Sequence, residues 1–376
     1  MSFRYASGLV KPGFNSLAAQ TSTVVYNLYG WGMNTQGQLG LGNTTNYSSP
    51  KQVGSLGDWS VLSAGPNNIL FIKTDGTLWA WGSNGDGQLG LGNITYYSSP
   101  KQVGALTNWY KICAGGSTGY GIKTDGTLWA WGGNGAGQLG LGNRTKYSSP
   151  KQVGSLTTWL TLSSNYVSSS MAAIKTDGTM WMWGENSQGE LGLGVTSKYS
   201  SPKQVGSLTN WSKVQSAYQL TLAVKTDGTM WAWGRSNYGQ LGLGNRTSYS
   251  SPKQVGSLTN WLTISAGYYC SVAKKTDGTI WTWGLNNGGQ LGLGNRTDYS
   301  SPKQVGSLTT WSTINGGGFA TVALKTDGTL WVWGVSNQGQ LGLGNMTDYS
   351  SPKQVGSSTT WLLAQVVGGN AMLAVG

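Results

Sequence analysis

One phrase, Ser-Ser-Pro-Lys-Gln-Val-Gly, begins at Ser48, Ser98, Ser148, Ser200, Ser250, Ser300 and Ser350, at a spacing of 50 residues with a single step of 52. A second, Lys-Thr-Asp-Gly-Thr, begins at Lys73, Lys123, Lys175, Lys225, Lys275 and Lys325, only six times. Self-similarity at such a period marks a repeat architecture, in which each unit buries its apolar face against its neighbours. The two extra residues lie between Thr158 and Lys175, which predicts one longer hairpin loop there.

A single unit reads from Trp59 to Gly104. Trp59 to Ala64 is a first strand and Ile69 to Thr74 a second. Asp75-Gly76 is a two-residue antiparallel turn, in which Gly accepts positive φ. Thr77 to Trp81 is a third strand. A Gly-rich connection runs from Gly82 to Ser99. Pro100 then introduces a short outer strand at 101–103, an edge position that tolerates proline. Four antiparallel strands per unit make a propeller blade.

The chain stops at Ala374-Val375-Gly376, where a seventh Thr-Asp-Gly turn would begin. At the other end, Asn27-Leu28-Tyr29-Gly30-Trp31-Gly32 matches the third strand of the other units. The expected fold is therefore all-β: a seven-bladed β-propeller of four-stranded antiparallel blades over 24–376. Its seventh blade is shared between 24–32 and 357–376, and 1–23 form an arm outside the ring. Such closure removes the exposed edge of an open array.

Composition agrees, with 61 Gly, 38% hydrophobic residues and 10% charged. All 20 Trp fall on repeat positions. A fully buried aromatic ring removes roughly 150–250 Å² from water, a gross gain of about 4–6 kcal/mol. The set is read as architecture. The net charge of +12 comes largely from lysines in the two repeated phrases, so it is spread around the ring. That argues against a nucleic-acid groove. Cys113 and Cys270 stand in non-neighbouring units and read as free thiols. The first 20 residues hold no continuous apolar run, so no secretion signal is expected, and no stretch is long enough to insert in a membrane.

The Gly-Gln-Leu-Gly phrase (Gly37 to Gly40 and its copies), the Pro-x-x-Val and the Thr-Asp-Gly-x-x-x-x-Trp-Gly together resemble the repeat of the regulator of chromosome condensation family, over about 24–376. The resemblance implies the fold but not one function, since that superfold hosts nucleotide exchange factors, a photoreceptor and a secreted enzyme inhibitor. This chain lacks the His common in the family's loops and the Gly-Trp-Arg-His-Thr phrase of the photoreceptor. It also lacks the exchange factor's protruding hairpin and acidic working face.

No enzymatic chemistry is expected. With no His there is no histidine base and no imidazole metal ligand, so no catalytic residues, cofactor or metal are assigned. Six of the twelve acids are turn aspartates. Glu185 and Glu190 read as loop substitutions for Ser- and Gln-type residues.

The copies differ in three places: the tetrad after Trp-Gly (Met33 to Gln36, Ser83 to Asp86, Arg235 to Tyr238), the Asn-x-Thr-x-Tyr loop, and the loop between first and second strands. The last predicts a ring of Asn67, Asn68, Ser117, Tyr166, Tyr218, Gln219, Tyr268, Tyr269, Phe319 and Asn370, a composition suited to adaptable recognition. The ring is the candidate site for a protein partner, a receptor or a surface glycan. Phe3, Arg4, Tyr5 and Phe14 make the arm basic and aromatic, as for docking onto another subunit. The expected function is a non-enzymatic binding or structural module. By analogy it points to a phage virion component: a tail, fibre or baseplate adhesin, or a decoration protein, located in the virion or otherwise in the cytoplasm. The alternative is a soluble regulator or inhibitor that caps a partner with one face.

Overall fold

Each Lys-Thr-Asp-Gly-Thr phrase closes a tight turn through its own side chains. Thr77 donates to Asp75 Oδ1 from its backbone N (2.9 Å) and its hydroxyl (2.6 Å), and Trp79 Nε1 donates to Thr77 Oγ1 (2.9 Å). Lys73 lies over the Trp79 ring, 4.2 Å from its centroid. Gly76 supplies the positive φ (79°) that the turn requires. The sequence reading of the turn aspartates as architectural therefore holds, and the repeated lysines are absorbed with them.

The computed structural model describes residues 27–55, 57–164 and 169–376, which form twenty-eight strands in seven four-stranded antiparallel sheets. Blade 1 comprises Trp59–Ala64 (inner), Asn68–Lys73, Leu78–Gly82 and Tyr97–Gln102 (outer). Blades 2 to 6 repeat it, with inner strands Trp109–Ala114, Trp159–Ser164, Trp211–Ala217, Trp261–Ala266 and Trp311–Gly316. The seventh sheet joins both ends, two strands from each: Leu363–Val367, Ala371–Val375, Leu28–Gly32 and Tyr47–Gln52. Leu28 pairs with Val375 and Gly32 with Ala371. The N-terminal share of this blade thus runs on to Gln52, beyond the expected 32.

The outer strand also begins earlier than the expected 101–103. It is paired at Gly82↔Tyr97 and again at Ala80↔Lys101, and Pro100 falls in the irregular register between them. A bulge lets the strand carry proline without losing a ladder hydrogen bond.

Blades are joined by the Gly-Gln-Leu-Gly phrase. The indole of Trp81 is fully buried and donates from Nε1 to Gln38 O of the preceding blade at 3.0 Å. It packs so closely on Gly40 that a Cβ there would stand 2.8 Å from Nε1. The same bond recurs at Trp131, Trp183, Trp233, Trp283 and Trp333, and across the seam as Trp31 to Gln340 O (3.0 Å). All seven junctions are therefore made alike.

The inner strands of all seven blades line one axial channel. Each is an edge strand, so its outward N–H groups need acceptors. A belt of side chains supplies them. Ala114 N donates to Ser63 Oγ (2.9 Å), Ser164 N to Cys113 Sγ (3.0 Å), Ser216 N to Ser163 Oγ (3.0 Å), Gly316 N to Ser265 Oγ (3.0 Å), Val366 N to Asn315 Oδ1 (3.0 Å) and Ala64 N to Gln365 Oε1 (3.0 Å). Each acceptor stands four residues after the position of the strand-opening Trp, and that position is polar in every copy: Ser63, Cys113, Ser163, Gln215, Ser265, Asn315 and Gln365. Lysines serve the carbonyls. Lys111 Nζ donates to Leu160 O (2.6 Å), Lys213 to Leu262 O, and Lys274 to Ser312 O (2.6 Å). Burial pushes the Lys111 ammonium down to about 8.

Glu190 replaces the Gln found at this position in the other six copies. It is fully buried. Its Oε2 accepts from Gln188 N at 2.8 Å, while Oε1 has no partner among the described residues. The matching amides of Gln38, Gln88, Gln290 and Gln340 donate to nearby oxygens instead. Burial raises the Glu190 pKa. The folded state therefore binds more protons than the unfolded one, so stability falls as pH rises from the ordinary carboxylate range through the raised value, and is flat above it. Glu190→Gln should remove this fall and add about 1–3 kcal/mol at pH 8, with little change at pH 4. Thermal unfolding from pH 4 to 8 measures both.

Candidate functional site

All three variable segments lie on one face of the ring, where each third strand ends and each inner strand turns back. A backbone hydrogen bond in every blade ties the first residue of the tetrad to the inner loop: Ser83 N to Asn67 O (2.7 Å), Gly133 to Ser117 (2.8 Å), Glu185 to Ser169 (2.9 Å), Arg235 to Gln219 (2.7 Å), Leu285 to Tyr269 (2.9 Å), Val335 to Phe319 (2.9 Å) and Met33 to Asn370 (2.8 Å). Asn67, Ser117, Gln219, Tyr269, Phe319 and Asn370 are thus equivalent positions around the ring, and Ser169 is a further equivalent position that sequence reasoning omitted. Tyr218 and Tyr268 each stand one residue earlier.

Asn68 does not belong to that surface. It opens the second strand of blade 1 and is fully buried, so it is no part of the candidate site. Asn67, one residue earlier, is half-buried and still lies in the loop, whereas Asn68 already belongs to the strand. Tyr166, and the arm residues Phe3, Arg4, Tyr5 and Phe14, lie outside the described residues.

The ring is not uniform. Around blades 1 and 2 it carries Asn67 and Ser117. Around blades 4 to 6 it gathers aromatic rings in edge contact: Tyr218–Tyr269 (5.3 Å), Tyr218–Tyr268 (6.2 Å), Tyr238–Tyr269 (5.1 Å) and Tyr268–Phe319 (5.6 Å). The Arg235 guanidinium sits over both Tyr218 (5.8 Å) and Tyr269 (5.6 Å) and donates to Gln219 Oε1 at 2.9 Å. Gln219 holds a positive φ of 58°, alone among the described non-glycine residues. Its side chain is thereby presented to Arg235, at a backbone cost of about 1–2 kcal/mol. Tyr268 reaches over blade 6 to donate to Gly368 O of blade 7 (3.2 Å). Gly318 lies under its path, where a Cβ would come within 2.5 Å of the ring.

The same sector is braced at its outer edge by ion pairs between successive blades, Arg246–Asp298 (3.6 Å) and Arg296–Asp348 (3.5 Å). Such exposed pairs add little stability one by one; here they join loops of neighbouring blades that flank the aromatic group. Arg235 and Tyr238 are legible in sequence as members of a variable tetrad. Their partnership with the ring is not, since it depends on which face each loop occupies.

Among the described residues no three His, Cys, Asp or Glu side chains converge as a metal site. Glu185 pairs with Lys198 at 2.7 Å, and Cys270 is a buried free thiol whose pKa burial pushes up to about 12. No described helix is long and apolar enough to cross a membrane.

The model of the regulator of chromosome condensation (RCC1) repeat matches seven times, at 27–72, 75–119, 125–164, 177–224, 227–273, 277–324 and 327–374. The chain belongs to this family. Its fold is similar to that of Prp20p from Saccharomyces cerevisiae, with 19% identity over 94% of this chain and 92% of that one and a TM-score of 0.83. Yeast RCC1 (Prp20), solved with Kap60 bound to it, gives 18% identity over 94% and 89%, with a TM-score of 0.83. Human WBSCR16 gives 20% identity over 93% and 98%, with a TM-score of 0.82. Prp20p binds Gsp1p and histones. No curated protein matches the chain in sequence. The family and its fold are consistent with a non-enzymatic binding or regulator module.

Burial and the neighbouring Tyr218 raise the Tyr269 pKa, while Arg235 opposes the rise. Arg235→Leu should therefore move the Tyr269 titration to still higher pH. Ring-carbon NMR of labelled tyrosine follows it directly.

Proposed function

We propose that this chain is a protein-binding module that engages its partner with the aromatic sector of blades 4 to 6. The observation that carries this reading is the pre-assembled group of Tyr218, Tyr238, Tyr268, Tyr269, Phe319 and Arg235. Tyr and Arg are the residue types that dominate binding energy at interfaces, and loops already held by ring contacts and ion pairs lose little entropy on docking. The half-buried rings leave a surface of mixed apolar and hydrogen-bonding character, suited to a folded protein. Structural neighbours with known protein partners support the same class.

At finer grain we infer a component of a larger particle, of the tail, fibre, baseplate or decoration type. What supports it is a two-sided build: Asn27, the first described residue, pairs with Gly376 on the face opposite the variable loops, so that face is free for a neighbouring subunit while the variable loops meet a partner.

The triple variant Tyr218→Ala, Tyr269→Ala, Phe319→Ala should fold, with unchanged tryptophan emission, and lose at least about thirtyfold in affinity, since single hot-spot truncations cost about 2 kcal/mol or more. Asn67→Ala with Ser117→Ala should bind as the parent does. Side-by-side capture of partners from the source cell, followed by calorimetry on the captured partner, tests both. Equal binding by the triple variant would exclude this sector.

A further inference from the structure

One cation on the variable face is held in place without a counter-ion. The tetrads and the Asn-x-Thr-x-Tyr loops carry six basic residues, and four of them meet acids: Lys146 with Asp86, Lys198 with Glu185, Arg246 with Asp298 and Arg296 with Asp348. Arg144 and Arg235 do not. All twelve acids of the chain stand at described positions. Six are the turn aspartates, at the other end of the third strands. Asp58 pairs with Lys73, and Glu190 is fully buried, its carboxyl accepting from Gln188 N. No acid of the chain therefore serves Arg235.

Arg144 is exposed, whereas Arg235 is half-buried and gripped. Its guanidinium lies over the rings of Tyr218 (5.8 Å) and Tyr269 (5.6 Å), and Nη1 donates to Gln219 Oε1 at 2.9 Å. The Asn237 amide, oriented to suit its neighbours, accepts on Oδ1 from Nε (3.3 Å) and Nη2 (3.1 Å). A guanidinium has five N–H groups. These bonds use three, which leaves one on each terminal nitrogen, a pair that a carboxylate can bridge. Both acceptors are neutral amides, so the charge is oriented but not cancelled. Gln219 is also the one described non-glycine residue at positive φ (58°). Backbone strain kept at the residue that orients a charged group marks a functional arrangement. The fold does not ask for a cation there, since the equivalent residues are Met33, Ser83, Gly133, Glu185, Leu285 and Val335.

The geometry points to Arg235 as the receptor for one carboxylate, an Asp or Glu side chain of the partner protein. A single uncancelled charge fits a monoanion, whereas phosphate groups are met by clusters of arginines. The adjoining rings limit water around the pair, which strengthens it. This inference rests on the reading of blades 4 to 6 as the partner site and adds what the partner must present to it.

NMR of the full chain, labelled in its arginine and tyrosine side chains, tests it with two blocked peptides, acetyl-Tyr-Glu-Gly-amide and its counterpart acetyl-Tyr-Gln-Gly-amide. The Glu peptide should shift the signals of Arg235, Tyr218 and Tyr269 together and saturably. The Gln peptide should bind at least about fivefold more weakly, the step from a charged to a neutral acceptor. Arg235→Leu should abolish this preference, followed on Tyr269. Gln219→Gly, which frees the guanidinium, should reduce it, and Arg144→Leu should keep it in full. Equal binding of the two peptides by the parent chain, or no shift with either, would overturn the proposal. Tighter binding of the methyl glycoside of sialic acid than of the Glu peptide would overturn it in favour of an acidic glycan. With the captured partner, loss of binding by the Tyr218, Tyr269, Phe319 triple variant but full retention by Arg235→Leu would keep the sector as the partner site and overturn the carboxylate receptor alone. Retention by both variants would overturn both.

Discussion

Everything in this molecule rests on one contact: the indole of the Trp-Gly tryptophan, driven into the preceding blade over a glycine and hydrogen-bonded to a carbonyl there. Burial of the ring supplies the gross stabilisation, and the hydrogen bond removes the cost of a buried N–H and a buried C=O at one stroke. The glycine is required because no side chain fits beneath the ring, and its positive φ (75° at Gly40) suits the same residue. The bond is made seven times, so no junction is left to fray. That fixed frame lets loops on one face vary without endangering the fold.

The frame also makes the two faces of the ring different. One face carries the loops that differ between copies and the aromatic group of blades 4 to 6. The opposite face is nearly the same in every blade, and there the chain enters the ring. Copies that share one architecture diverge where architecture does not constrain them, which is why Arg235 and Tyr238 could appear in one tetrad only.

The fold is legible in sequence because its determinants are local and repeated. Lys-Thr-Asp-Gly-Thr announces its turn, and the mismatch between six turns and seven outer phrases locates the seam. The outer strand is longer than its sequence suggests, because proline sits within a bulge instead of starting the strand. The polar belt is visible as one polar residue four after each opening Trp position, but its meaning requires knowing that this strand is the innermost edge. Asn68 misleads because the loop before it ends one residue earlier than the apolar pattern indicates. The aromatic sector depends on contacts between blades 50 residues apart, such as Tyr218 with Tyr269, and periodicity alone carries no information about them.

Closure of the ring is the central claim, and the seam tryptophan tests it most directly. If Trp31 makes the same contact as its six counterparts, Trp31→Phe and Trp131→Phe should lower equilibrium stability alike. Each should cost about 1–3 kcal/mol from the unpaired buried carbonyl and the smaller ring, in a single unfolding transition followed by chemical denaturation. A full loss for Trp131→Phe with none for Trp31→Phe, or a separate early transition confined to the terminal blade, would mean that the ring is open at its seam.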